Sequence, residues 1–278
     1  MAISTTIYNI FKAGSRTYFY SSLFFPKNIR ERVFRLYAFV RKADNFVDSM
    51  PQRHKEFTEF RKEYERAIAG KRTDDEVVAG FVSLFEECNF RPAWCEAFLD
   101  AMESDLRPQV RYYTLDELRK YMHGSAEVIG LMMSRILGLS DRVHEDAMHL
   151  GRAMQYVNFI RDLQEDLAMG RSYLPLDELE RYGLRSFDLR EAQSNPQGFS
   201  EYIRAQVNLA LGWFDAASHS FNEIPPRCRI PIKTASDMYR WTARIIHSRP
   251  FVVYTRKVRP SVPRIVASIA GNSLCMIK

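Results

Sequence analysis

Apolar side chains recur every three or four residues along most of this 278-residue chain, the spacing of helices with one face turned inward. Residues 29–49 keep that period until Pro51, and a more charged helix is expected over 52–69, ending at Gly70. Residues 73–88 read as a third helix, with Asp74, Asp75 and Glu76 in its first turn, where the helix dipole favours acids. Residues 92–107 follow, Pro92 standing at a starting position. Thr114-Leu-Asp-Glu117 has capping-box spacing and opens a helix reaching Met133 or Leu137. Ser140 or Asp141 caps a long segment to Ala168, stopped by Gly170. A short element over 176–183, a loop at Asn195-Pro-Gln-Gly198 and two long helices over 200–222 and 230–249 complete the pattern. Strand-like alternation is scarce and no fixed-period repeat occurs, so the expectation is one all-α domain over 1–278. Residues 256–278 read as a basic C-terminal tail punctuated by Pro260 and Pro263.

Composition narrows the class. With 46% apolar residues and 13% of the chain aromatic, it can bury a full core, which excludes wholesale disorder. Gly and Pro, 12 each, are too few for a turn-dense β protein. A net charge of +6 suits anionic partners such as phosphorylated substrates or membrane surfaces. Aromatics do not alternate with basic residues as on a nucleic-acid platform, so no nucleic-acid partner is expected. Four cysteines without a CxxC pair fit a reduced, cytoplasmic setting. The first twelve residues make a poor signal peptide and no apolar run approaches membrane-spanning length, leaving a soluble or peripherally membrane-bound chain as the expectation. The oligomeric state is not legible.

Two stripes carry chemistry. On the helix at 29–49, Tyr37, Arg41, Asp44 and Asp48 fall at offsets 0, 4, 7 and 11 on one face, among apolar neighbours. On the segment ending at Ala168, Gln155, Asn158, Asp162, Glu165 and Asp166 form a second stripe. Either pair of acids alone reads as a solvated face. Both together on greasy helices, with Arg41, Arg161 and Arg171 near them, point to acid pairs facing each other and sharing divalent metal. Oxygen donors without His or thiolate select Mg²⁺, with Mn²⁺ as a substitute, and leave positions for phosphate oxygens. The arginines are natural diphosphate partners. His144 and His149 are five apart and do not make a zinc pair, and GxGxxG, P-loop and GxSxG fingerprints are absent.

These runs carry a family resemblance. Tyr37-Ala-Phe-Val-Arg-Lys-Ala-Asp-Asn-Phe-Val-Asp48 resembles the first aspartate-rich motif of the squalene/phytoene synthase family. Gln155-Tyr-Val-Asn-Phe-Ile-Arg-Asp-Leu-Gln-Glu-Asp166 with Gly170-Arg-Ser-Tyr-Leu-Pro175 resembles its second. Tyr121-Met-His-Gly-Ser-Ala-Glu-Val-Ile-Gly130 is similar to its central segment, and Gly14-Ser-Arg-Thr-Tyr18 to its N-terminal diphosphate-binding segment. Residues 15–26 and 37–48 look most like archaeal phytoene synthases.

The resemblance implies an isoprenoid-synthase helical bundle with a central apolar cavity, joining two allylic prenyl diphosphates head to head through a cyclopropylcarbinyl diphosphate. Asp44, Asp48, Asp162 and Asp166 would hold Mg²⁺, with Asn158 and Glu165 in support. Ser15, Arg16, Thr17, Arg41, Gln155, Arg161 and Arg171 would bind substrate, and the aromatic faces of Tyr37, Tyr121 and Tyr239 would stabilise cations. Tyr121 or His123 would act at the reacting centre, and Glu127 is either a framework partner or a site residue. Ser21 and Ser22 are small where bulk would shorten a tail cavity, favouring twenty-carbon substrates and phytoene. The alternatives are squalene synthase, which needs NADPH, dehydrosqualene synthase, or an inactive assembly factor of the same fold.

Overall fold

The computed structural model describes residues 3–274. Fourteen α-helices account for most of them: α1 Thr5–Gly14, α2 Arg16–Ser22, α3 Lys27–Val47, α4 His54–Ile68, α5 Glu76–Glu87, α6 Pro92–Ser104, α7 Leu115–Met122, α8 Val128–Ile136, α9 His144–Arg161, α10 Leu163–Ala168, α11 Leu189–Ser194, α12 Pro196–Ala217, α13 Pro226–Ser248 and α14 Val262–Leu274. The all-α expectation holds, with two two-residue strands, β1 Val110–Arg111 and β2 Arg171–Ser172, paired in parallel.

Local chemistry explains most boundaries. Thr114 and Glu117 form the reciprocal capping box that opens α7. Asp75 accepts from the amides of Val77 and Val78, so the acids at 74–75 precede α5 rather than occupying its first turn. Gly170, at φ +74°, ends α10 in the left-handed region. The stretch 195–198, expected as a loop, instead starts a helix. Asn195 caps it by accepting from the Gly198 amide, and Pro196 takes the first helical position.

Two expected continuous helices are interrupted. Between α7 and α8, His123–Glu127 form a π-helical turn, in which the Val128 amide reaches back five residues to the His123 carbonyl. Between α9 and α10 the backbone opens at Asp162. Both interruptions fall inside motifs, where they re-aim side chains that an unbroken helix would place elsewhere. Residues 256–278, expected as a basic tail, contain α14, which packs against α13 and α2; residues 275–278 lie outside the described part.

One contiguous core runs through the helices, built on stacks such as Phe39 on Phe81, with ring centres 3.8 Å apart, and on the wholly buried Tyr156, Tyr202 and Phe214. Helices α6, α8 and α9 approach unusually closely around the π turn. A Cβ on Gly124 would lie 2.2 Å from the Ala97 carbonyl oxygen, and one on Gly130 2.2 Å from that of Ala147. Residues of α3, α8 and α9 together wall one chamber. No described helix is long and apolar enough to cross a membrane.

Candidate active site

A cavity of about 1110 Å³ lies among α2, α3, α8, α9, α10 and α13. Its deep wall is apolar, with Val33, Leu36, Ile129, Met133, Leu150 and Met238. Single small-ligand sites usually span roughly 300–1,000 Å³, so this chamber has room for long hydrocarbon. The polar stripes meet at its mouth. Tyr37, Arg41, Asp44 and Asp48 from α3 and Gln155, Asn158, Arg161, Asp162, Glu165 and Asp166 from α9 and α10 all line it, as do Ser15, Thr17, Tyr121, Arg171 and Tyr239. The acids are not deeply buried: Asp44 and Asp166 are half-buried, while Asp48 and Glu165 are exposed at the rim.

The electrostatics are those of crowded carboxylates. Burial, then the neighbouring Asp48 charge, pushes Asp44 up to about 7. Burial and Asp162 push Asp166 up to about 8. A site that holds anions this reluctantly favours a cation among them.

Resident cations meet only part of that demand. Arg161 forms a fork to both oxygens of Asp162, at 2.7 and 2.6 Å. The β1–β2 pairing sets Arg171 beside the C-terminal end of α3, where it donates to Asp48 at 2.8 Å and to the carbonyls of Val47 and Asp105. Arg41 stays 3.9 Å from Asp44, free to turn to an incoming anion.

A divalent ion fits this donor set. Asn158 Oδ1 is buried with no hydrogen-bond partner, although its Nδ2 donates to Gln155 at 3.2 Å. Among the described residues no three acid, His or Cys groups converge to hold an ion by themselves. The donors come in pairs instead, which suits an ion that completes its shell with ligand oxygens and water.

Of the two candidates in the central segment, Tyr121 faces the cavity and His123 does not. The Tyr121 hydroxyl donates to Asp105 Oδ2 at 2.5 Å. His123 is outside the lining and sits against Glu127 at 3.1 Å. Glu127 accepts from the buried Arg152 at 2.5 Å, and Arg152 lies 5.4 Å over the Trp213 ring, so this acid is a framework partner under the π turn. The π turn separates the two: it places Tyr121, Ser125 and Ala126 on the chamber side and turns His123 away. Ser15 lines the mouth while capping α2 through the Tyr18 amide. The side chain of Arg16 lies outside the described part.

Four site residues were not singled out from sequence. Asp105 binds the hydroxyls of both Tyr121 and Tyr173, and is pushed up to about 6, chiefly by burial. Tyr173 stacks on Phe159 with centres 4.2 Å apart. Tyr18 stacks on Tyr239 at 5.8 Å. Lys257, from the supposed tail, reaches Asp162 at 3.1 Å and Glu165 at 2.5 Å. Tyr18 and Tyr173 lie inside quoted motifs; Asp105 and Lys257 had no local pattern to mark them.

Comparison with known proteins decides the lineage. The squalene/phytoene synthase profile matches residues 11–265. The chain belongs to the squalene/phytoene synthase family. It is 30% identical to a 15-cis-phytoene synthase of Enterobacter agglomerans, over 94% of this chain and 92% of that one. To a 15-cis-phytoene synthase of Synechocystis it is 28% identical, over 90% and 78%. A dehydrosqualene synthase solved with a ligand superposes with a TM-score of 0.87 over 98% of this chain and 95% of that one, at 22% identity, which shows the shared isoprenoid-synthase fold. This is a prenyltransferase of that family.

Proposed function

We propose that the protein is a phytoene synthase, condensing two molecules of geranylgeranyl diphosphate head to head. One observation carries the reading: two pairs of crowded aspartates stand at the mouth of an apolar chamber larger than one small ligand needs. The names of the relatives support the same product.

In this reading Arg41 and Arg161 receive the diphosphates, Arg161 exchanging Asp162 for phosphate oxygens. Asp44, Asp48, Asp162 and Asp166, with Asn158 and Glu165, would hold Mg²⁺, which supplies Lewis-acid stabilisation of the departing diphosphate. The apolar wall excludes water while the first C–O bond breaks and an allylic cation forms. The ring faces of Tyr37, Tyr239, Tyr121 and Tyr173 border that region, and the Asp105 hydrogen bonds fix the last two. The second substrate's double bond attacks, a proton is lost, and a cyclopropylcarbinyl diphosphate closes. Loss of its diphosphate, rearrangement and a final proton loss give the hydrocarbon without a reductant.

The test is a product assay with geranylgeranyl and farnesyl diphosphates in competition, with and without Mg²⁺ and NADPH. The expected product is a forty-carbon hydrocarbon that needs Mg²⁺ and ignores NADPH. A thirty-carbon product would reassign the protein to squalene or dehydrosqualene synthesis, and no turnover under any condition would leave the assembly-factor reading.

A further inference from the structure

One carboxylate in the chamber lining stands far from the acid stripes. Along α9 the wall is formed by Ala147, Leu150, Gly151 and Met154, leading inward from Gln155 and Asn158 at the mouth. This apolar run ends on Asp146, in the first turn of the helix. Twelve residues of unbroken α-helix separate Asp146 from Asn158, which sets the two ~18 Å apart along the axis. Asp146 is half-buried, and Leu139 and Val143, from the turn leading into α9, line the chamber beside it.

A hydrocarbon tail anchored by its diphosphate at the mouth has this run as its track. Each five-carbon unit adds four chain bonds, roughly 5 Å when extended, because a peptide's three bonds reach about 3.6 Å. Three units therefore stop short of Asp146, four reach it, and a fifth has to pass it. Passing it means covering an unpaired carboxylate with hydrocarbon. Among the described residues no cation serves Asp146, since Arg91 and Arg135 bind Asp141 instead, at 3.1 and 2.9 Å. Stripping water from such a charge cancels what burying one more unit gains.

We propose that Asp146 sets the upper limit of tail length at four five-carbon units, its charge refusing a tail that runs on past the end of the α9 track. The inference rests on the mouth acids holding the diphosphate, and it names the residue that reads the far end of the substrate. The test is calorimetric titration of the full chain, with Mg²⁺, by unreactive prenyl thiodiphosphates of three, four and five units. The wild type should bind the five-unit analogue no more tightly than the four-unit one. Asp146→Ala should raise five-unit affinity about tenfold and leave three-unit affinity within about twofold. Asp146→Asn, which keeps the shape and loses the charge, should raise it about threefold or more. Both variants should melt at or above the wild-type temperature, and Glu145→Ala, exposed and outside the lining, should change nothing. Unchanged five-unit affinity in both variants, or an equal gain at all three lengths, would overturn the proposal. So would a gain with Ala but not Asn, since bulk rather than charge would then set the limit. Length selection as stated, with no turnover of geranylgeranyl diphosphate, would count against the proposed reaction alone.

Discussion

Arg171 donates to Asp48 across 123 residues of sequence, at 2.8 Å, and in doing so ties the second motif to the end of the first. The guanidinium is buried, and its other nitrogen serves the carbonyls of Val47 and Asp105. Arg171→Ala therefore leaves two buried carbonyls without their donor. The variant should lose about 2 kcal/mol by urea unfolding, a figure reduced because Asp48 itself is exposed, and most of its turnover.

The crowded aspartates predict a stability optimum on the acid side. Asp44 and Asp166 ionise in the folded chain at about 7 and about 8, against 3.8 ordinarily. The folded state thus binds more protons, and the stability these groups contribute is complete below about 4 and lost as pH rises through 7–8. In divalent-free buffer the melting temperature should fall between pH 5 and pH 8. Added Mg²⁺ with pyrophosphate should restore it most at the alkaline end. A flat profile would contradict the crowding.

Neutralising one acid should separate folding from function. Asp44→Asn removes a charge that the folded state holds reluctantly, so at pH 8 it should melt at or above the wild-type temperature while turnover disappears. Asp162→Asn should abolish turnover likewise. Full activity in either variant would refute the site.

Tyr121 and His123, two residues apart, should behave differently. Tyr121→Phe takes a hydroxyl from Asp105 at the chamber wall and should cut turnover sharply, whereas His123→Ala, outside the lining, should keep it within about threefold. A reversed order would mean that the π turn is differently arranged in the working enzyme.

Glu127→Gln tests the framework role. It leaves Arg152 buried with an unmatched charge, at a cost of about 3 kcal/mol in urea unfolding, with turnover per folded molecule retained.

The helices and both acid stripes were legible because burial writes a 3.6-residue period, and a motif aligned with that period survives folding intact. Asp44 and Asp48 needed nothing further. The π turn at 123–127 was not legible: close approach to α6 and α9 selects it, and the glycines that permit the approach look like any others in sequence. The same holds for Asp105, an acid at the end of α6 whose meaning depends on Tyr121 and Tyr173 arriving from other elements. Asn195 shows the opposite error, since a residue that favours turns is also the best helix cap.

Lys257 gives the assembly of this site an order in time. Translation delivers Asp162 and Glu165 ninety-odd residues before the ammonium that sits against them. Until residue 257 is made, Asp162 has Arg161 alone as its cationic partner and Glu165 has none among the described residues, so the rim reaches its final charge balance only after α13 has been synthesised.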